Sequence, residues 1–329
     1  MTGALLALLA AAAVPQPGAI RTFGDWTVGC DNGLDCQAVA LVPDGATADD
    51  IATATIMRGS AAADRPQVAI ELWNVAATAM LIDGKRFALT GGGQEEYRPA
   101  DPAAFVAALI PAQTAVFVDA RGKIVGTLSS SGIAAALLYI DDRQRRIGTA
   151  SALVRKGTKP GPPTPSAIPV IDAAPITNAT AIAPTAKEVA AMRKVADCPA
   201  DDFGPVSAET HALDARRTLV LLSCGAGAYN FSSVPFVIER VRGQLKADYA
   251  RFDRMPSWGE DDGNPMLVNA GYEKGVLSHY AKGRGLGDCG TSQEFVWDGA
   301  RFRLTEQREM HECRGSVDWI RTWRAAVKR

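Results

Sequence analysis

The chain has 329 residues, a formal net charge of −1, 47% hydrophobic residues and 22% charged residues. That length suits two domains, and that apolar content suits packed cores rather than a disordered chain. Lys and Arg are spread along the sequence without a basic block, so no nucleic-acid-binding surface is expected.

Residues 1–18 read as a signal peptide. The run GALLALLAAAAV is apolar, uncharged and too short to span a bilayer. Small residues at Ala11–Ala13 and prolines at 15 and 17 follow it, as in a cleavage region. No Lys or Arg precedes the run, which leaves room for a true start upstream of Met1. No integral membrane segment is expected, and the absence of a cysteine after the run argues against a lipid anchor. The expected location is the periplasm or the exterior of a bacterial cell.

Residues 19–156 read as a β-rich, sandwich-like first domain. Phe23–Val28 alternates up to Cys30, Asp31-Asn32-Gly33 turns, and a strand resumes from Cys36. Further strands fit Ile51–Met57 and Val68–Trp73. Asp83-Gly84 and Arg121-Gly122 sit between strand pairs as hairpin turns. Asp101-Pro102 offers a cap and a proline for the first turn of a helix carrying Phe105, Val106, Leu109 and Ile110. Ser130 or Ser131 can cap a second helix through Tyr139.

Residues 157–184 are rich in Pro, Ala, Gly and Thr without periodicity and read as an extended linker. Residues 185–329 read as a second domain, a β-meander with an N-terminal helix. Thr185 and Glu188 form a capping box, and Val189, Met192 and Val195 give the helical stripe. Strands follow at 217–224, 234–241 and 244–251, with Arg242-Gly243 as a turn. Around Asp298-Gly299, Phe295 and Trp297 alternate on one side, and Phe302 and Leu304 on the other. The tail 317–327, with Trp319 and Trp323, fits helical and strand spacing equally. The expected fold class is mainly β: two antiparallel domains with a few short helices.

Six cysteines in an exported chain favour disulfides, and six allow fifteen connectivities. Proximity in sequence selects Cys30–Cys36, Cys198–Cys224 and Cys289–Cys313. No CxxC pair occurs and the three histidines are scattered, so no metal centre and no cofactor are expected. The sequence lacks a G-x-S-x-G elbow, H-E-x-x-H, a Walker A motif and a dinucleotide fingerprint. Ser129-Ser130-Ser131 reads as a loop and cap rather than a nucleophile.

The densest candidate site is Lys282-Gly-Arg-Gly-Leu-Gly-Asp288. Glycines at every second position predict a loop with unusual backbone angles and bared N–H groups. Lys282 and Arg284, with His279 and Asp288, would make it friendly to an anion. The competing structural reading pairs Arg284 with Asp288 to lock the loop. A second candidate, Glu260-Asp261-Asp262 beside Trp258, could serve a glycan hydrolase through Glu260 or Asp262. Its bland reading is a solvated turn.

The motifs AKGRGLGDCG, WDG and HECRG, with CGAGAYN at Cys224–Asn230, resemble a bacterial envelope family known as domain of unknown function 1176. The resemblance covers roughly residues 185–329 and implies no particular activity. FGDWTVGCDNGLDC at Phe23–Cys36, and the segment from Ala112 to Ile140, resemble proteins similar to invasion-associated locus B, which are exported. The expected function is therefore non-enzymatic: an envelope protein that binds a partner or an anionic ligand through loops of its second domain.

Overall fold

The computed structural model describes residues 14–46, 52–73, 75–92, 96–199, 207–256 and 263–329. Antiparallel sheets dominate, short helices decorate them, and no sheet closes into a barrel among these residues.

The first sheet runs in chain order through β1 (Ile20–Phe23), β2 (Trp26–Cys30), β3 (Cys36–Ala40), β4 (Ala52–Arg58) and β5 (Gln67–Leu72). Strand alternation sends Trp26, Val28, Ala38, Ala54, Ile56 and Ile70 to one face. A second sheet holds β6 (Ala79–Ile82), β7 (Lys85–Thr90) and β8 (Arg98–Pro99), then β9 (Ala115–Val118) and β10 (Ile124–Thr127), in the order β10-β9-β6-β7-β8. Asp83 and Gly84 take φ of 44° and 80° at its tightest hairpin. Helix α1 (Pro102–Leu109) starts where Asp101 accepts a hydrogen bond from Ala104 N, and it buries Phe105, Val106 and Leu109. Met80, Phe117 and these helical residues close the core over the first sheet.

Helix α2 (Ile133–Arg143) departs from the expected serine cap. Gly132 is the N-cap, with φ +90° and no side-chain cap bond. Ser130 instead donates to Ala112 O at 2.8 Å. A Cβ on Gly132 would lie 1.7 Å from Phe23 O, so the close approach of β1 selects glycine here.

The 157–184 stretch contains β11 (Val170–Asp172). Ala174 N donates to Trp297 O and Ile182 N to Thr218 Oγ1, so the stretch lies against the second half of the chain. Helix α3 (Ala186–Val195) carries the full capping box of Thr185 and Glu188. One sheet follows: β12 (Ala208–Ala212), β13 (Arg217–Ala226), β14 (Phe231–Val241) and β15 (Gln244–Tyr249), with β16 (Leu267–Val268) also on β14. The next is β17 (Gly271–Glu273), β18 (Val276–Lys282), β19 (Gly290–Trp297), β20 (Phe302–Met310) and β21 (Ile320–Arg324). The last strand, β22 (Ala326–Lys328), pairs in parallel with β11. Leu219, Leu221, Leu277, Phe295, Phe302 and Leu304 share one core. Met192 of α3 packs with Val220, Leu222, Phe236 and Ile238 in another.

All three disulfides pair as proximity in sequence selects: Cys30–Cys36, Cys198–Cys224 and Cys289–Cys313. The tail resolves as strand, because β21 finds a hydrogen-bonding edge on β20. It also docks on the first sheet. Val39 and Leu41 pack with Cys289, Met310, Trp319 and Ile320. Thr55 Oγ1 donates to Asp318 at 2.5 Å, and Gly18 N donates to Thr322 O at 2.8 Å.

Candidate functional site

The loop 283–289 leaves β18 and returns as β19. Its glycines serve two different purposes. Gly287 takes φ +75°, in the left-handed region. Gly283 does not; a Cβ there would lie 2.7 Å from Cys289 Sγ, so the disulfide's closeness selects it. Two backbone N–H groups are spent inside the loop: Gly283 N on Cys289 O at 2.8 Å and Gly287 N on Arg284 O at 3.0 Å.

The structure brings Arg284 and Asp288 together. The Asp288 side chain is fully buried. Arg284 Nε donates to Oδ1 at 2.7 Å, its second nitrogen donates to Oδ2, and Gly315 N donates to Oδ2 at 2.7 Å. Burial pushes the carboxyl up, but the Arg284 and Gly315 donors outweigh it and hold it below the usual range. Lys282 stands apart from that pair, with Nζ 5.8 Å from the centre of the Tyr229 ring. The loop is braced from outside as well. Tyr229 OH donates to Gly283 O, Asn230 Nδ2 to Lys282 O, and Trp319 Nε1 to Gly287 O. The Cys224–Asn230 motif thus supplies two of the loop's supports.

Arg284→Ala is expected to lower stability by about 1–3 kcal/mol, because the buried Asp288 loses its counter-ion. The figure stays below that of a fully buried pair because the Arg284 side chain is half exposed. Chemical denaturation of the variant measures it.

His279 is buried in β18 against Val268 of β16, not on an open surface with Lys282. Its Nδ1 accepts from Val268 N at 2.9 Å, and burial lowers its pKa to about 4. The neutral ring is the form that can accept that bond. The unfolded chain takes up a proton near pH 6.5 while the folded chain does not until about pH 4. Stability is therefore full above pH 6.5 and falls between pH 6.5 and about 4, by roughly 3 kcal/mol in total. His279→Gln, which keeps an acceptor, should flatten that part of a stability–pH curve.

On its open side the loop borders a cleft of about 490 Å³, with Arg284 and Leu286 on one wall and Pro43, Asp44 and Ala46 on the other. Leu286 is 43% exposed. Arg314 forms the floor; its Nε donates to Val42 O at 2.9 Å and its guanidinium pairs with Asp25. Pro43 and Ala46 also border a larger hollow of about 860 Å³ that reaches Ile110–Val116 and Thr127–Ser131. The two hollows share that rim.

Sequence reading missed one cluster. Carboxylate oxygens of Glu71, Glu96 and Asp318 lie within 4.8 Å of one another, a donor set that suits a hard cation. Burial and the two neighbouring acids raise the Glu71 pKa. No linear signal joins residues so far apart. Glu260 and Asp262, the pair considered for glycan hydrolysis, lie outside the described residues.

The profile of the family described as "Protein of unknown function (DUF1176)" matches residues 20–326. The chain belongs to that family. The match takes in both halves, more than the 185–329 region in which the motifs stand out. Over a 354-residue alignment the chain is 30% identical to "Uncharacterized protein YpfG" of Escherichia coli (strain K12), covering 96% of each chain. No solved structure matches. No helix among the described residues is long and apolar enough to cross a membrane.

Proposed function

We propose that this DUF1176 protein is a non-enzymatic, exported envelope protein. It binds a partner, or an anionic ligand, in the cleft bounded by the 282–288 loop and residues 42–46. Export is supported by the N-terminal apolar run, by three disulfides and by the resemblance of Phe23–Cys36 to exported proteins similar to invasion-associated locus B. On this reading the chain has an N-terminal unit (19–156) and a C-terminal unit (185–329), with 157–184 between them.

The observation that carries the site is the exposed Leu286 on a loop held by a disulfide, the Arg284–Asp288 ion pair and three side-chain hydrogen bonds, facing a cleft. A loop already fixed loses little entropy on binding. The exposed half of Arg284 adds positive charge on the cleft wall, and Lys282 adds more at the base of the same loop. Asp288 is the buried anchor that holds Arg284 in place, and His279 supports the strand beneath.

Lys282→Ala with Leu286→Asp tests this without breaking the Arg284–Asp288 lock. The mature protein should recover a partner from an envelope extract, and the double variant should lose it while melting at the same temperature. Recovery of the same partner by the variant would remove the cleft from the reading.

A further inference from the structure

A separate cleft of about 340 Å³ is lined by residues on or beside β13, β14 and β15, by the end of β19 and by the turn that follows it. Four cations face it: Arg216, Arg217, Lys246 and Arg251. Two acids, Glu239 and Asp248, face it too, which leaves an excess of two positive charges. Both acids lie beside Lys246, at 4.0 and 2.6 Å. Arg217 is fixed by Asp214 at 2.7 Å and by Gly299 O, and its guanidinium stands 5.2 Å from the centre of the Trp297 ring. Arg216 and Arg251 are exposed, and their side chains have no hydrogen bond or ion pair among the described residues.

Trp297 lines the same cleft and is 5% exposed. Its Nε1–H is buried and meets no acceptor among the described residues. Other indoles of this chain are satisfied: Trp26 donates to Ser129 O, Trp319 to Gly287 O and Trp323 to Leu304 O. A buried donor without an acceptor is costly to keep, and an oxygen supplied by a molecule in the cleft would satisfy it.

We infer that this cleft binds a small molecule carrying an oxyanion, a carboxylate or a phosphate. Arg216 and Arg251 take its charge, and the Trp297 indole N–H donates to one of its oxygens. Guanidinium groups match both kinds of oxyanion through paired N–H donors. The cleft's volume falls within the range of small-molecule sites. The inference does not depend on the loop at 282–288, whose residues lie outside this lining.

The test follows the indole N–H signals of the full-length mature protein, labelled with ¹⁵N-tryptophan, by NMR. The Trp297 signal is assigned by its absence in Trp297→Phe. Inorganic phosphate and succinate are titrated separately, with sodium chloride at matched ionic strength as the control. One or both anions should shift the Trp297 signal downfield and saturably, and chloride should not. Phosphate alone would assign a phosphate monoester, and succinate alone a carboxylic acid. Arg216→Ala with Arg251→Ala, both exposed and checked by melting, should weaken the response at least tenfold. A Trp297 signal unmoved by either anion, moved equally by chloride, or moved equally in the double variant would overturn the inference.

Discussion

Asp31→Ala is expected to destabilise the protein by about 3 kcal/mol and to loosen β21 selectively. The Asp31 side chain is fully buried. Its Oδ1 accepts from Gly33 N at 2.8 Å and Asp35 N at 3.0 Å, fixing the turn inside the Cys30–Cys36 disulfide. Its Oδ2 lies 3.0 Å from Arg321 Nε and 2.9 Å from Arg324 Nε, both on β21. One carboxylate therefore organises a local turn and a contact with residues some 290 positions away. Removing it strands two guanidinium groups against the turn. Asp35, 2.7 Å from Arg324 and 3.5 Å from Arg321, softens that loss, as does the partial exposure of both arginines. Asn32 adds a second clasp: its Oδ1 accepts from Arg324 N, and its Nδ2 donates to Arg324 O. Asp31→Asn keeps an oxygen for the turn but removes the charge, so it should cost less than Asp31→Ala. Denaturant titration gives the total, and amide hydrogen exchange of residues 320–324 gives the local part. A loss below about 1 kcal/mol with unchanged protection of β21 would show that hydrophobic packing alone holds the tail.

Replacing Cys289 and Cys313 together by serine should cost about 3–4 kcal/mol on the loop-entropy account. The bond closes a chain separation of 24 residues across the β19–β20 hairpin. It also has native-state neighbours. Cys289 packs with Val39, Leu41, Met310 and Trp319 where the tail meets the first sheet. The serine hydroxyl at the buried position 289 would add a desolvation cost. The effect should appear as a lower denaturation midpoint and as faster exchange in the 283–289 loop. The same change at Cys30 and Cys36 closes a separation of only 6 residues and should cost less. An equal loss at the two sites would mean that packing, not chain entropy, sets the disulfides' contribution.

Much of the fold was legible because its signals are local. The capping box of Thr185 and Glu188, the Asp101-Pro102 helix start, the Asp83-Gly84 and Arg242-Gly243 hairpins and the alternation around Asp298-Gly299 each act within a few residues. The cap of α2 was not legible. Two serines offer the usual chemistry, but Gly132 is chosen by the carbonyl of Phe23, a residue more than a hundred positions away. The candidate site divides the same way. Arg284 and Asp288 are four residues apart and do meet, but nothing local reveals that Asp288 is fully buried and braced by Gly315. His279 sits in a strand whose alternation is compatible with either face, and packing against Val268 decides for the interior.

By itself the sequence determined the β-rich class, the helix starts, the tight turns and, through short separations, the three disulfide partners. These follow from backbone conformational preferences and from the low entropy of closing short loops. Only the tertiary structure decided what the tail does, because its tryptophans fit helix and strand equally until β20 offers an edge and Val39 and Leu41 offer an apolar surface. It alone decided which charges meet: Asp31 with Arg321 and Arg324, and Glu71 with Glu96 and Asp318. Such groupings depend on how sheets stack, and periodicity along one strand carries no record of the strand that will lie across it.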